Sequence, residues 1–190
     1  MTTRISTCAA AWLMLVACSA SANAQTTATN AIPKFEVGGG YQWVDVGSDL
    51  VDNTFPGGLG LDVAVYRWGQ LALAGELGWS HDSSEAFGNS VSSTLFHIGA
   101  GPRFAIPLAV RALPYAQAFI GYARNSSSAT FSGTTLEASA NAFMFQFGGG
   151  ATVKMGNNWG LFGDLSYRHA FYDNATDEFQ LYLGARFFVN

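Results

Sequence analysis

Ionisable residues set singly among small ones are the chemistry this sequence offers. Glu36, Asp62, Glu76, Arg103, Lys154, Asp164, Arg168 and Arg186 each lie in a stretch rich in Gly, Ala and apolar side chains. Acids and bases balance within this set, so it can form a buried salt-bridge network, a polar plug or the lining of a narrow pore. Histidine offers less. His169 in "YRHAFYDN" has Asp173 close by, but ester hydrolysis would also need an activated nucleophile beside the imidazole. His81 has Ser83 and Glu85 nearby, in a polar stretch with no evident orienting partner. His97 reads as one more inward-facing polar residue, and three scattered histidines do not make a metal site. The expectation is no catalytic centre, no cofactor and no metal.

The elements that carry these groups are strands. In "FEVGGGYQW", Phe35, Val37, Gly39, Tyr41 and Trp43 share one parity, while Glu36, Gly38, Gly40 and Gln42 share the other. Alternation of this kind puts each set on its own face of a strand. It returns in "GLGLDVAVYRW", "LALAGELGWS", "TLFHIGAGPRF", "ALPYAQAFIGYA", "AFMFQFGGGATVK", "WGLFGDLSYRH" and "EFQLYLGARFFVN". In the fifth, Ala116, Ala118, Ile120 and Tyr122 take the apolar side and Gln117 the other. The links alternate too. "RWGQ", "IPLAVR" and "MGNN" are short, whereas "GSDLVDNTFPG", "HDSSEAFGNSVSS", "RNSSSATFSGTTLEAS" and "YDNATD" are polar and mostly long. Eight strands with one short-turn rim and one long-loop rim describe an all-β, antiparallel, up-and-down transmembrane β-barrel.

Composition decides which face meets water. Charged residues are 12% of the chain and hydrophobic ones 49%, against about 25% charged in ordinary globular domains. Such a chain cannot cover a wet exterior with charge, and it has no apolar run of spanning-helix length after residue 24. The polar parity is mostly Gly, Ala and Ser, which suits the narrow interior of an eight-stranded barrel. Aromatics sort to both ends of the apolar faces: Trp43, Trp79, Phe143, Tyr167 and Phe179 at the long-loop end, Phe35, Trp68, Phe104, Trp159 and Phe187 at the other. Two such rings are the girdles of a membrane barrel. A one-residue slip would turn the inner charges toward lipid, at roughly 2–4 kcal/mol for each Arg near the midplane. The net charge of −4 leaves no basic footprint for nucleic acid.

The N-terminus is a targeting segment. Arg4 precedes an apolar core, Ala9 to Ala17, of about 10 residues, too short to span a bilayer. Cleavage after Ala22-Asn23-Ala24 makes residues 1–24 a cleaved signal peptide, 25–33 a short polar leader and 34–190 the barrel; the alternative cut precedes Cys18. Cys8 and Cys18 both lie in this segment, so disulfides do not hold the barrel.

The stretches "FEVGGGYQW", "HIGAGPRF", "LPYAQAFIGYA" and "FQLYLGARFF" resemble the small outer-membrane β-barrel family that includes the opacity proteins and the transmembrane domain of OmpA. The resemblance covers Lys34 to Asn190 and implies the bacterial outer membrane. It also implies assembly through the closing strand by the outer-membrane assembly machinery, although Val189 and Asn190 follow the Phe pair in place of a terminal Phe. The resulting expectation is a monomeric barrel with a side-chain-filled lumen and a structural, envelope-integrity or adhesion role. A narrow porin-like channel for small or hydrophobic solutes and a lipid-modifying enzyme are the alternatives. Within the lumen, Glu36 should pair with Arg186 across the closing seam, Glu76 with Arg103, and Asp164 with Arg168 or Tyr182. Asp49, Asp52, Asp82, Glu85, Glu137, Asp173, Asp177 and Glu178 should line an acidic outer rim in contact with outer-membrane lipid and lipopolysaccharide, where divalent cations could bridge them to phosphates.

Overall fold

Each alternating segment becomes a strand. The computed structural model describes residues 32–47, 52–86, 89–108, 111–131, 134–172 and 175–189. The segment expected to be a signal peptide, most of the expected leader, Asp49 and Asp173 lie outside the described residues, as do the side chains of Asp52 and Glu85. The strands are β1 (Phe35–Gly47), β2 (Asp52–Trp68), β3 (Leu71–Ala86), β4 (Asn89–Ala105), β5 (Ala112–Phe131), β6 (Thr134–Lys154), β7 (Trp159–Ala170) and β8 (Thr176–Val189). They close as one barrel, each strand antiparallel to its sequence neighbours and β8 to β1.

The register fixes the barrel's geometry. From Val37, paired residues lead through Val63, Gly75, Ala100, Ile120, Phe145, His169 and Asp177 to Gly47, ten positions further along β1. Eight strands with a shear of ten tilt by about 40°. Neighbouring residues across the sheet therefore stand at different heights. Where the chain closes on itself, the backbones of β1 and β8 come together at Gly40 and Gly184: a Cβ on Gly184 would lie 2.2 Å from the Gly39 carbonyl oxygen. The β2–β3 turn is two residues long, Gly69–Gln70, and Gly69 supplies the positive φ (65°) such a turn needs.

The expected parities hold in all eight strands. Leu59, Leu61, Leu73, Ile120, Phe147, Leu165, Phe179 and Phe187 face outward and exposed, while Glu36, Asp62, Glu76, His97, Arg103, Asp164, Arg168 and Arg186 are buried inside. The fifth strand agrees, with Gln117 inward and Ala116, Ala118, Ile120 and Tyr122 outward.

The outer rim departs from expectation. Stretches expected as polar loops are largely paired strand: β3–β4 zips up to Ala86/Asn89, β5–β6 to Phe131/Thr134 and β1–β2 to Gly47/Asp52. In the β3–β4 and β5–β6 hairpins the apolar alternation fades because neither face meets lipid, so hydrophobic period no longer marks a strand. Hydroxyls fasten the strands instead, Ser92 to Ser128 at 2.9 Å, Ser93 to Ser127 at 3.1 Å and Thr130 to Thr135 at 3.0 Å. β2–β3 pairing stops at Gly58/Ser80 and β6–β7 pairing at Met144/Ala170. Above those points β3 to β6 stand as a four-stranded sheet raised off the barrel.

Candidate functional site

The lumen holds two polar clusters at different heights. The lower one is built from β1, β2, β4 and β8. Arg103 Nη1 reaches Asp62 Oδ2 at 2.8 Å and Glu36 Oε2 at 3.4 Å, and Arg186 reaches the same carboxylates at 2.9 and 3.7 Å. Arg186 also donates to Thr152 Oγ1 (2.8 Å), and its guanidinium lies between the rings of Tyr115 and Phe162, 4.8 and 4.3 Å from their centroids. Gln117 links this cluster to the next element, accepting from Arg103 Nε at 2.9 Å and donating to Asp164 at 3.2 Å. Two arginines shared between two acids leave no member of the quartet without an opposite charge, which is what burial of charge demands.

The upper cluster centres on Glu76. Its Oε1 accepts from Gln180 at 3.0 Å and Gln146 at 3.3 Å, and lies 3.1 Å from His97 Nε2. Arg168 donates to Glu178 at 2.6 Å, to Gln146 at 3.1 Å and also to Gln180. Gln42 donates to Ser80 at 2.9 Å.

Apolar groups close both ends. Val44, Val46, Phe55 and Leu95 pack together at the outer end, and Ala123, Ala142, Met144 and Ala170 form a second cluster. At the inner end Ala64, Tyr66, Ala72, Ala105, Leu113 and Tyr115 do the same.

The expected seam pair, Glu36 with Arg186, is present, although Arg186 sits nearer Asp62. Glu76 and Arg103 do not meet. Arg103 pairs in register with Ala72 and Glu76 with Gly99, so the shear sets them four residues apart along the wall. Each finds a partner at its own height. Asp164 bonds to neither Arg168 nor Tyr182; Gln117 and Ser166 hold it. Lys154 stands half-buried at the inner mouth, its ammonium over the Phe188 ring at 5.6 Å. Glu178 is not a rim acid. β8 begins at Thr176, so Glu178 shares the inward parity of Gln180 and Tyr182 and is fully buried against Arg168. That parity was the signal available in the sequence.

The histidines outside the lumen lie on the outward face. His169 Nδ1 is 2.6 Å from Asp177 Oδ1, to which Tyr167 also donates at 2.6 Å, and its ring sits between Phe145 and Phe171. His81 bonds Thr94 at 2.9 Å and stacks on Trp79. The hydroxyl close to the His169–Asp177 pair is a phenol, not the serine-type alcohol that ester hydrolysis uses as its nucleophile. Among the described residues no group of three His, Cys, Asp or Glu side chains forms a metal-ligand set.

A closed eight-stranded barrel with an apolar lipid-facing wall, a polar filled interior and a raised rim is the architecture of small bacterial outer-membrane proteins. The family model for the outer membrane protein beta-barrel domain matches residues 10–187. The chain belongs to that family, and its place is the bacterial outer membrane. Among solved structures, Ail, the attachment invasion locus protein of Yersinia pestis, crystallised with the heparin analogue sucrose octasulfate, superposes with a TM-score of 0.63 at 17% identity, covering 80% of this chain and 96% of its own. Neisserial surface protein A gives 0.63 at 15% identity over 81% and 96%. A major outer membrane protein of Thermus thermophilus gives 0.55 at 15% over 80% and 98%. At such identities the likeness is one of fold. A comparison with curated proteins finds no match.

Proposed function

We propose that this protein is a non-conducting outer-membrane barrel whose work is done at its outer surface, as a structural, envelope-integrity or adhesion element. The observation that carries the reading is the filled lumen: two hydrogen-bonded charge clusters, capped above and below by packed apolar side chains, leave the raised sheet of β3 to β6 as the part free to meet the outside. Three arginines and five carboxylates held by buried ion pairs and by hydrogen bonds to Gln, Ser and His side chains are poor material for a solute path, because a permeating ion would have to break several of these buried contacts at once.

The chemistry of the raised sheet narrows the partner. Ail was crystallised with a sulfated sugar. Here the sheet presents hydroxyls from Ser83, Ser92, Ser93, Ser127, Ser128 and Thr135 together with Asp82 and Glu137, while among the described residues Arg124 stands at its base, in the row below Ser80. That balance disfavours a polyanion and fits a neutral or cationic partner. Planar-bilayer recording tests the first half of the proposal: the purified barrel should give no stepwise conductance, and reproducible openings would overturn it. Shortening the β3–β4 and β5–β6 hairpins to the barrel rim tests the second. Cells carrying the shortened protein should lose surface attachment or resistance to detergents; unchanged cells would refute a surface role.

A further inference from the structure

The lipid-facing wall is not uniform. Along the row of paired residues Val63–Gly75–Ala100–Ile120 the two middle side chains are small. The rows above and below carry Leu77 and Ile98, and Leu73 and Pro102. The result is an open apolar depression of about 510 Å³ on the β3–β5 wall, bounded by Leu61, Val63, Leu77, Ile98, Ile120 and Tyr122. No barrel packing requires the notch at Gly75. A Cβ there would meet its nearest neighbours, the Gly99 carbonyl oxygen and Val63, at 3.5 and 3.9 Å, which is ordinary contact.

Directly above the notch stands an arrangement suited to a phosphorylated sugar. The row Trp79–Phe96–Arg124–Asn141 lies four residues nearer the outer rim along β4 than Ala100, about 13 Å along the strand. Trp79 carries the stacked His81 ring on its rim side. Arg124 is exposed and lies beside Ser126, with its Nε 3.4 Å from the hydroxyl. Tyr122 donates to Asn141 at 2.6 Å between this row and the notch.

Charge placement singles out Arg124. Arg103, Arg168 and Arg186 are inside the lumen, and Lys34, Arg67, Arg111 and Lys154 belong to the inner rim. Among the described residues Arg124 is therefore the one Lys or Arg on the outward side of the outer rim. Guanidinium is the side chain best shaped for phosphate, and aromatic faces beside it suit a sugar ring.

We infer that the β3–β5 wall binds one molecule of lipid A from the outer leaflet, its phosphate on Arg124, its glucosamine against Trp79 and Phe96, and one acyl chain lying across Ile98 into the Gly75–Ala100 notch. The bilayer supplies acyl chains to every part of the wall. The coincidence of an outward cation, paired aromatics and a side-chain-sized depression on three adjacent strands makes this stretch a site for one lipid.

Native mass spectrometry of the barrel extracted into mild detergent tests it, with bisphosphorylated lipid A, phosphatidylglycerol and inorganic phosphate added in separate titrations. Two variants probe the two ends: Arg124→Gln removes the phosphate partner, and Gly75→Leu fills the notch from the outside. Heat-dependent gel mobility shows that each variant still closes. Wild type should retain one lipid A per barrel. Arg124→Gln should weaken retention about tenfold or more, as expected for loss of a charged hydrogen bond. Gly75→Leu should weaken it by roughly two- to fivefold, the scale of several lost packing contacts, since the displaced chain moves into detergent or lipid rather than into water. Equal retention of phosphatidylglycerol would overturn the proposal, since it would mark annular lipid only. So would displacement of lipid A by inorganic phosphate alone, a dimer seated on this wall, or loss with one variant and not the other.

Discussion

Arg186 offers the sharpest test of how the barrel is held. Its side chain joins Asp62, Glu36 and Thr152 and is flanked by two aromatic rings. Replacing it by Gln leaves Arg103 as the partner of both Asp62 and Glu36 in a wall-to-wall buried site. Removing one member of a buried ion pair costs about 3–5 kcal/mol, because the carboxylates left behind cannot reach water. The lumen already holds five buried acids, Glu36, Asp62, Glu76, Asp164 and Glu178, against Arg103, Arg168 and Arg186, so the loss should fall toward the upper figure. That is a large part of the roughly 5–15 kcal/mol that holds a typical native protein. Urea titration in lipid vesicles, read by tryptophan emission and by heat-dependent gel mobility, measures it. The double variant Asp62→Asn/Arg186→Gln should recover about 1–3 kcal/mol relative to the sum of the singles, because the two residues act on each other. Strict additivity, or a single-variant loss below about 1 kcal/mol, would refute the view that this quartet is one coupled unit.

Other expectations follow from the wall, the seam and the rim. Leu61→Arg, pointing into lipid near mid-height, should destabilise the barrel by about 2–4 kcal/mol in the same titration. Gly184→Val should block closure of β1 against β8, since its Cβ would fall 2.2 Å from a backbone oxygen; the heat-dependent gel shift should disappear, and a normal shift would contradict the register. An epitope inserted between Phe131 and Thr134 should be labelled on intact cells. The same epitope in the Gly156–Asn158 turn should be labelled only after permeabilisation.

The face of every strand was legible in the sequence because lipid on one side and a narrow lumen on the other enforce a strict period of two. What the period does not carry is height. Glu76 and Arg103 sit on adjacent strands and on the same face, yet the shear separates them, and shear is a property of the closed sheet rather than of any one segment. Glu36 with Arg186 was legible because both lie close to the chain's two ends, where the seam fixes height directly. The apolar caps were hidden for a different reason. Val44, Val46 and Leu95 are inward-facing apolar residues packed at the outer end of the lumen, so there apolarity no longer marks the outside. The raised hairpins were illegible because alternation needs two unlike environments, and above the bilayer neither face of a strand meets lipid.

These boundaries also divide the protein's tolerances by direction. A change at Arg186 or Arg168 acts on the pairs that hold eight strands around one axis, and it should be felt as stability. Outward changes such as those at Gly75 or Ile98 act on what the wall holds against it, because a Cβ at Gly75 meets nothing closer than ordinary contact. Changes at Ser92, Ser128 or Glu137 act on a sheet whose β6 strand is exposed on both faces and whose β4 and β5 strands are joined by part-buried hydroxyl pairs. Replacing one hydroxyl in such a pair costs about 1 kcal/mol or less, too little to disturb the buried clusters below. The raised sheet can therefore vary its surface chemistry without loosening the barrel, and a function selected at the outer rim is free to change independently of the lumen that supports it.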